Sequence, residues 1–170
     1  FGSPVIRIGK GARQINATVV ICEEYWVGSR YDGGRNNRDY DRDNPIAQKA
    51  RNFDLSLIIN ANASPPAPNK IDRHKELCKL ATRHCQVIVH TDGLGSSGST
   101  FAQFGSRLMA QNGKIISEGI RNSFKDMAYT SKIVYMTPPR DKKSKPHATI
   151  AHNFRDDHEK PCQDGPASWE

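Results

Sequence analysis

The sequence predicts an α/β fold. Three aliphatic segments, residues 19–22, 55–59 and 86–90, have the length and the β-branched character of buried strands. A segment with helical periodicity precedes the second strand and another follows it, and a polar turn comes after each strand. Alternation of buried strands with helices is typical of a sheet whose central strands are parallel.

Two helices are expected around the second strand. Pro45 favours a helix that begins there and continues to Phe53, because proline is tolerated in the first turn of a helix. Residues 70–84 predict the other helix, because they carry side chains at helical spacing, namely Ile71, His74, Leu77, Cys78 and Ala81. The order helix, strand, helix, strand describes an α/β unit.

The rest of the chain divides into a hairpin, loops and a tail. Residues 107–116 predict two strands joined at Asn112-Gly113, a dipeptide typical of tight hairpins, and residues 132–136 predict a further strand. Residues 28–45 mix glycine with alternating charges, which predicts a long solvated loop with nothing to bury, and residues 92–99 predict a loop of small side chains. We expect a partial domain over residues 1–137 and an extended basic and polar tail over residues 138–170, either flexible or wrapped around a partner.

Composition limits the class of protein. The 170 residues fit one domain, and the formal charge of +7 is compatible with an anionic partner. No run approaches the ~18 apolar residues of a membrane helix, so no membrane span is expected. The four dispersed cysteines favour free thiols in a reducing compartment, either the cytoplasm or the mitochondrial matrix. Because the chain begins at Phe1, we expect a processed protein or a piece of a longer one.

Polar side chains gather where the three strands end. Cys22 ends the first strand, Asn60 follows the second and Asp92 follows the third. Carboxyl ends of parallel strands meet at the sheet edge where ligands bind, so we expect these side chains to lie close together. Cys22 is a candidate nucleophile there, because a thiolate can attack a carbonyl or nitrile carbon and form a covalent intermediate. The alternative is that Cys22 is a small buried hydrophobic residue.

Three blocks of sequence carry a resemblance to a known family. The first is an aliphatic run that ends in Cys-Glu-Glu-Tyr-Trp at residues 22–26. The second ends in Asn-Ala-Asn-Ala-Ser-Pro at residues 60–65, and the third joins the His-Thr-Asp-Gly-Leu-Gly loop at residues 90–95 to a Gly-Ser strand and the Asn-Gly hairpin. In this order they resemble the nitrilase superfamily of carbon–nitrogen hydrolases, and within it the carboxyl-terminal half of the glutaminase domain of glutamine-dependent NAD synthetase.

The resemblance implies part of a four-layer α-β-β-α sandwich and amide hydrolysis by a Cys-Glu-Lys triad. Cys22 matches the nucleophile, and the positions that would bind substrate are Glu23, Trp26, Asn60, Ser64 and Asp92. In the family the triad's glutamate and lysine precede the cysteine, in a half that these residues do not match. The resemblance therefore implies an obligate protein partner that supplies both, and it implies no cofactor.

Some residues depart from the family pattern. Asp92 stands where the family has asparagine, Gly93 where it has glutamine, and Phe104 near an acidic position. A negative charge on Asp92 close to Cys22 would disfavour the thiolate. Glu23 does not replace the triad's glutamate, because a residue that follows Cys22 in a strand would point to the opposite face.

Two functions of different classes follow. The chain is either one half of a split glutaminase-type amidohydrolase, or a non-catalytic nitrilase-derived subunit of a large assembly, organellar or RNA-containing. Nucleic-acid binding has weak support, because the arginines of residues 28–45 alternate with aspartates and such a loop is usually a solvated surface. Tyr31 and Tyr40 could stack on bases, or simply lie in that loop.

Two further candidate sites involve histidines. His90 is an alternative general base, since imidazole titrates near neutrality, but a hydrogen-bonded histidine at a strand end explains the residue equally simply. A zinc site could combine His74, Cys78, His84 and Cys85, although their spacing matches no common zinc motif. No metal is therefore expected.

Overall fold

The computed structural model describes residues 3–10, 13–29, 39–63, 67–97, 101–119, 130–138 and 148–150. In these residues seven strands form one sheet in the order β8-β7-β4-β3-β2-β1-β9, and two more form a separate pair. The strands are β1 (Val5–Ile8), β2 (Ile15–Ile21), β3 (Leu57–Asn62), β4 (Val87–Asp92), β5 (Leu94–Ser97), β6 (Phe101–Phe104), β7 (Arg107–Gln111), β8 (Lys114–Glu118) and β9 (Ala148–Ile150). The helices are α1 (Tyr40–Asp43), α2 (Pro45–Phe53) and α3 (Lys70–Ala81), with a 3-10 helix at Cys22–Tyr25.

The centre of the sheet is parallel, as predicted. Strand β2 pairs in parallel with β3, and β3 pairs in parallel with β4. Antiparallel pairs with β1 and β7 extend this centre on both sides. The α/β class is confirmed, and the carboxyl ends of β2, β3 and β4 lie side by side at one edge.

The predicted hairpin and helices are present with small changes in their bounds. Helix α2 has Pro45 in its first turn, and α3 ends at Ala81, three residues before the predicted end. Asn112 and Gly113 both have positive φ, 50° and 74°, which is the backbone of the tight turn that their sequence predicts. Local sequence signals therefore position these elements correctly.

The two faces of the sheet differ in what covers them. On one face Val20, Ile58, Ile88 and Leu108 belong to the buried core, together with inward side chains of α2 and α3. The opposite face, called the open face below, carries two rows of side chains that run in register across β2, β3, β4 and β7. One row is Val19, Ile59, Val89 and Met109, and the other is Ile21, Ala61, Thr91 and Arg107.

The open face leaves apolar side chains in contact with solvent. Val19 is 37% exposed and Ile21 is 68% exposed, although both project from a central strand. Central strands of α/β sheets are normally apolar on both sides because both sides are covered. The composition of the open face is therefore that of a surface that packs against something.

The prediction that residues 28–45 bury nothing is wrong for residues 39–45. Tyr40 opens the short helix α1 and is only 7% exposed, and Asn44 is fully buried. Burial raises the pKa of Tyr40 far above its usual range. The alternating charges of this segment indicated a solvated loop. The side chain of Tyr40 nevertheless packs into the core and attaches the carboxyl-terminal end of the segment to it. Residues 30–38, including Tyr31, lie outside the described residues.

The predicted strand at residues 132–136 is also wrong. Residues 130–138 are extended but belong to no strand. Hydrogen bonds from side chains, and not the main-chain bonds of a β-sheet, hold this segment. Gln86 exchanges two bonds with the main chain of Thr137, at 2.6 and 2.8 Å, and Gln111 Nε2 donates to the Tyr135 carbonyl at 2.9 Å. Ile133 and Tyr135 are consequently 84% and 88% exposed.

Two further strand regions differ from the prediction. The small-residue loop expected at residues 92–99 contains β5, which pairs with β6 in a two-stranded hairpin. The tail contributes β9, which pairs in parallel with β1 and extends the sheet. Neither strand has the alternation or the aliphatic content by which strands are recognised in a sequence. None of the helices in the described ranges combines the length and hydrophobicity needed to span a membrane.

Candidate active site

Cys22 lies at a sharp turn directly after β2. Its φ is 48°, in the left-handed region that residues other than glycine rarely adopt, and the 3-10 helix begins at this residue. A strained strand-to-helix turn of this kind holds a nucleophile exposed at the top of a sheet. The cysteine is free and half-buried. Glu23 belongs to the 3-10 helix, so the prediction that it continues the strand is wrong; its side chain lies outside the described residues.

Asn44 fixes the turn that carries Cys22. Its Nδ2 donates to the Val27 carbonyl at 2.8 Å, and its Oδ1 accepts from the Ile46 amide at 2.8 Å as the N-cap of α2. Gly28 continues the turn with φ of 77°, and a Cβ there would lie 2.8 Å from the Asp39 carbonyl oxygen. One buried amide and one obligatory glycine therefore position the turn against the core.

Two aromatic residues anchor the 3-10 helix on the helical side of the sheet. The buried Tyr25 donates to Cys78 Sγ at 2.9 Å and stacks on the ring of His90, with 5.9 Å between ring centroids. Burial raises the pKa of Tyr25 well above its usual range and that of Cys78 to about 12. Trp26 is half-buried and lies 6.5 Å from the ring of His74. Trp26 thus packs against the core, four residues after the candidate nucleophile.

Asn60 and Asp92 lie where the sequence places them, one strand apart. Asn62 is the register partner of Asp92, and Asn60 is the partner of His90 two residues earlier in the same pair of strands. Asn60 is fully buried, and neither atom of its side-chain amide has a hydrogen-bond partner among the described residues. The two atoms of the Asn62 amide likewise lack one. These buried amides are the kind of group that bound water or a ligand normally satisfies.

Asp92 forms a buried ion pair with Lys70. Lys70 Nζ lies 3.3 Å from Asp92 Oδ2, and the side chains are 4% and 0% exposed. The lysine comes from the first turn of α3, so the pair joins that helix to the carboxyl end of β4. A negative charge on Asp92 was expected to disfavour a thiolate on Cys22, but the adjacent ammonium group of Lys70 offsets that charge.

His90 belongs to a buried cluster with His74 and Ser106. His90 Nε2 and His74 Nδ1 are 3.1 Å apart, so one ring donates to the other, and Ser106 Oγ lies 3.1 Å from His74 Nδ1 and 3.3 Å from His90 Nε2. Burial lowers the pKa of His74 to about 4 and that of His90 to about 3. Both rings are therefore neutral near pH 7, and neither is exposed to solvent.

The structure thus brings together some of the residues that the sequence singled out. Cys22, Asn60 and Asp92 lie at or next to the edge where β2, β3 and β4 end, whereas Trp26 packs against the core. Ser64 lies outside the described residues. Sequence reasoning missed Lys70, Asn62 and Ser106. Lys70 precedes His74 by four residues on the inward side of α3, and this spacing was the available signal.

The residues considered for zinc have other partners. His74 contacts His90, Cys78 accepts from Tyr25, and His84 Nε2 lies 2.8 Å from Asp41 Oδ1. No group of three or more histidine, cysteine or acidic side chains in the described part of the chain could hold a metal ion.

Comparison with known proteins gives similarity in structure only. No protein-family model and no curated protein matches the chain. Among solved structures, glutamine-dependent NAD+ synthetase from Acinetobacter baumannii, in complex with ADP, is 20% identical with a TM-score of 0.53, over 76% of this chain and 20% of that one. The corresponding synthetase from Cytophaga hutchinsonii is 22% identical with a TM-score of 0.47, over 66% and 15%. A CN-hydrolase superfamily protein from Xanthomonas campestris is 14% identical with a TM-score of 0.43, over 70% and 41%.

The match to the Acinetobacter structure, with a TM-score above 0.5, indicates a shared fold over 76% of this chain. This chain has a nitrilase-like α/β fold. It spans a fifth or less of the length of the two synthetases and about two fifths of the CN-hydrolase superfamily protein. In this fold Cys22 occupies the turn after a central parallel strand, with Asp92 two strands away at the same edge.

Proposed function

We propose that this chain is a nitrilase-like, glutaminase-type amidohydrolase module in which Cys22 is the nucleophile. The observation that carries the proposal is the backbone of Cys22, a non-glycine residue with φ of 48° at the end of a central parallel strand. Such strained positions occur where a side chain must be presented for chemistry. The half-buried free thiol at the edge formed by β2, β3 and β4 is consistent with this role.

The proposed reaction is hydrolysis of a primary amide in two steps. The Cys22 thiolate attacks the carbonyl carbon, a carbon–sulfur bond forms, and the carbonyl electron pair moves to oxygen. When the oxyanion collapses, the carbon–nitrogen bond breaks and nitrogen leaves as ammonia with a proton from a general acid. Water then attacks the thioester, gives its proton to the same group, and releases the carboxylic acid and the thiolate.

The module needs a partner to complete this chemistry. A glutamate would move the protons and a lysine would stabilise the oxyanion, and the resemblance to nitrilases assigns both to a preceding half. The open face supports the same requirement, because Val19 and Ile21 remain exposed on a central strand. We therefore propose that another polypeptide covers this face and supplies both groups to the edge that carries Cys22.

A second candidate function is that of a non-catalytic subunit. The exposed apolar side chains favour it independently of Cys22, since Ile133 and Tyr135 add to the exposed side chains of the open face. In that case the nitrilase-like fold would serve only as a packing unit within a larger assembly.

The decisive experiment measures ammonia release from glutamine by the chain purified with the proteins that stay bound to it. Cys22→Ser should lower the rate at least ~100-fold, because the hydroxyl is a much weaker nucleophile than the thiolate. Cys85→Ala is the matched control, since Cys85 is buried away from the edge and should leave the rate unchanged. Equal rates for the wild type and Cys22→Ser would contradict the proposal.

Mass spectrometry of the same sample identifies the bound proteins. A companion that carries the missing glutamate and lysine, together with turnover that requires Cys22, supports the split amidohydrolase. A large assembly without such a companion and without turnover supports the second function.

A further inference from the structure

The turn between β7 and β8 carries the one Asn-Gly pair of the sequence, Asn112-Gly113. Gln111 and Lys114 are register partners, so Asn112 and Gly113 alone form the loop of this hairpin. Asn112 is exposed, and a Cβ added to Gly113 would meet no atom within 4 Å. The asparagine side chain is therefore open to water and lies beside a main-chain nitrogen that no side chain shields.

An asparagine followed by glycine can undergo an intramolecular reaction that changes the main chain. The glycine nitrogen attacks the side-chain carbonyl carbon of the asparagine, and a carbon–nitrogen bond forms. The attacking nitrogen gives up its proton, which reaches the departing amide group through water, and that group leaves as ammonia. Water then opens the cyclic imide at either of its two carbonyl carbons and gives aspartate or isoaspartate. Glycine favours the attack because it has no Cβ to hinder the close approach of its nitrogen.

A hydrogen bond from another part of the chain holds this attacking nitrogen. The Gly113 N–H donates to Thr82 Oγ1 at 2.9 Å. Thr82 is the C-cap residue of α3 and is only 6% exposed, and its Oγ1 lies 3.1 Å from the carbonyl oxygens of both Cys78 and Lys79. The hydroxyl proton therefore goes to the last turn of the helix, and the hydroxyl oxygen accepts from the glycine.

We propose that Asn112 is a deamidation site whose rate is controlled by Thr82. The Gly113 nitrogen must release its proton and turn toward the Asn112 side chain before it can attack. Both changes break the bond to Thr82. The rate therefore depends on the fraction of time in which the hairpin turn is separated from the carboxyl-terminal end of α3, which is a local opening of the fold.

Either product changes the hairpin turn. Aspartate at position 112 places a negative charge near the carboxyl-terminal end of α3, where the helix dipole is also negative. Isoaspartate adds one carbon atom to the main chain of a loop that has only two residues, which disturbs the pairing of Gln111 with Lys114. Deamidation should therefore loosen the hairpin from α3 as the protein ages.

The test follows deamidation in the full chain at mildly alkaline pH, by mass spectrometry of the tryptic peptide of residues 108–114. Thr82→Val keeps the β-branched shape but loses the hydroxyl, so Asn112 should deamidate about fivefold faster, as expected for the loss of one hydrogen bond. Thr82→Ser keeps the hydroxyl and should react at a rate close to that of the wild type. In urea all three chains should react equally fast, and faster than the native wild type, because the bond is lost on unfolding.

Asn69 is the internal control within each sample. It is exposed and has a positive φ of 57°, as Asn112 does, but Lys70 follows it in place of glycine. Asn69 should remain unchanged while Asn112 reacts.

The proposal is overturned if Asn112 of the wild type deamidates as fast in the native chain as in urea. This result comes from the wild type alone, so it stands even if Thr82→Val fails to fold. Equal native rates for folded Thr82→Val and Thr82→Ser would also overturn it, because the hydroxyl would then have no part in controlling the reaction.

Discussion

Lys70 Nζ lies 3.3 Å from Asp92 Oδ2, and both side chains are almost completely buried. The pair links the first turn of α3 to the carboxyl end of β4, at the edge that carries Cys22. Two charges removed from water stabilise a fold only while they remain together, because either one alone would be buried without its partner. The ion pair therefore makes the position of α3 depend on an acidic residue of the candidate site.

Removal of one charge of this pair should be costly. We expect Lys70→Met to lower the free energy of unfolding by about 3–5 kcal/mol, since it leaves the Asp92 carboxylate in the protein interior. The double variant Lys70→Met/Asp92→Leu should recover most of that loss, because it removes both buried charges. Urea denaturation of the full chain measures these free energies.

The ion pair between Lys75 and Glu118 is the matched control, because its side chains are 27% and 31% exposed. Lys75→Met should cost less than about 1 kcal/mol, as is usual for surface pairs. A double variant as unstable as Lys70→Met would contradict the predicted recovery of stability.

The histidine cluster predicts a loss of stability in mild acid. Burial lowers the pKa of His74 to about 4 and of His90 to about 3, whereas both titrate near 6.5 when unfolded. Between pH 6.5 and those values the unfolded chain binds more protons than the folded chain, so stability falls as the pH falls. Each histidine should contribute up to about 1.4 kcal/mol per pH unit, and the contribution should be absent above about pH 7.

Denaturation of the full chain at pH 7, 6 and 5 measures this dependence. The double variant His74→Gln/His90→Gln should have a shallower dependence of stability on pH than the wild type. His84→Gln is the control, because His84 pairs with the exposed carboxylate of Asp41 and lies outside the cluster. If the free energy of unfolding depends on pH equally steeply in the double variant and in the wild type, the histidine cluster does not cause the loss of stability in acid.

The elements that the sequence predicted are those with local signals. The β-branched runs of β2, β3 and β4, the proline of α2 and the Asn-Gly turn each specify their own structure, whatever lies around them. Their order then predicts the parallel centre of the sheet and the common edge. Cys22, Asn60 and Asp92 could be placed at that edge for this reason alone.

The remaining features depend on contacts that no local pattern contains. Tyr40 lies in a charged segment and becomes buried only because Gly28 allows residues 39 and 40 to approach the turn after Trp26. From its sequence, Lys70 would be expected to be an exposed residue in the first turn of a helix. Its burial is explained only by the ion pair with Asp92, which is distant in sequence. Residues 132–136 have the composition of a β-strand. The main chain of residues 130–138, however, accepts hydrogen bonds from the side chains of Gln86 and Gln111 and does not pair with a neighbouring strand.

Asn44 should prove more important to the candidate site than its distance in sequence from Cys22 suggests. Its side chain caps α2 and binds the carbonyl of Val27 at the end of the turn that carries the nucleophile. Asn44→Gly should lower the free energy of unfolding by about 2 kcal/mol or more, because it removes a cap together with a buried hydrogen bond. Asn69→Gly is the matched control, since Asn69 precedes α3 with φ of 57° and makes no capping bond with its side chain. Equal losses in urea denaturation would contradict the role of Asn44.

Native-state alkylation tests whether the turn presents Cys22 as proposed. Cys22 is half-buried, whereas Cys78 and Cys85 are 0% and 6% exposed, and burial raises the pKa of the Cys78 thiol to about 12. Because the thiolate is the reactive form and must be reached by the reagent, iodoacetamide should label Cys22 at least ~10-fold faster than Cys78 or Cys85. Mass spectrometry of the three peptides measures the rates, and labelling in urea should make them nearly equal. Faster labelling of Cys78 in the native chain would show that the turn hides the proposed nucleophile instead of presenting it.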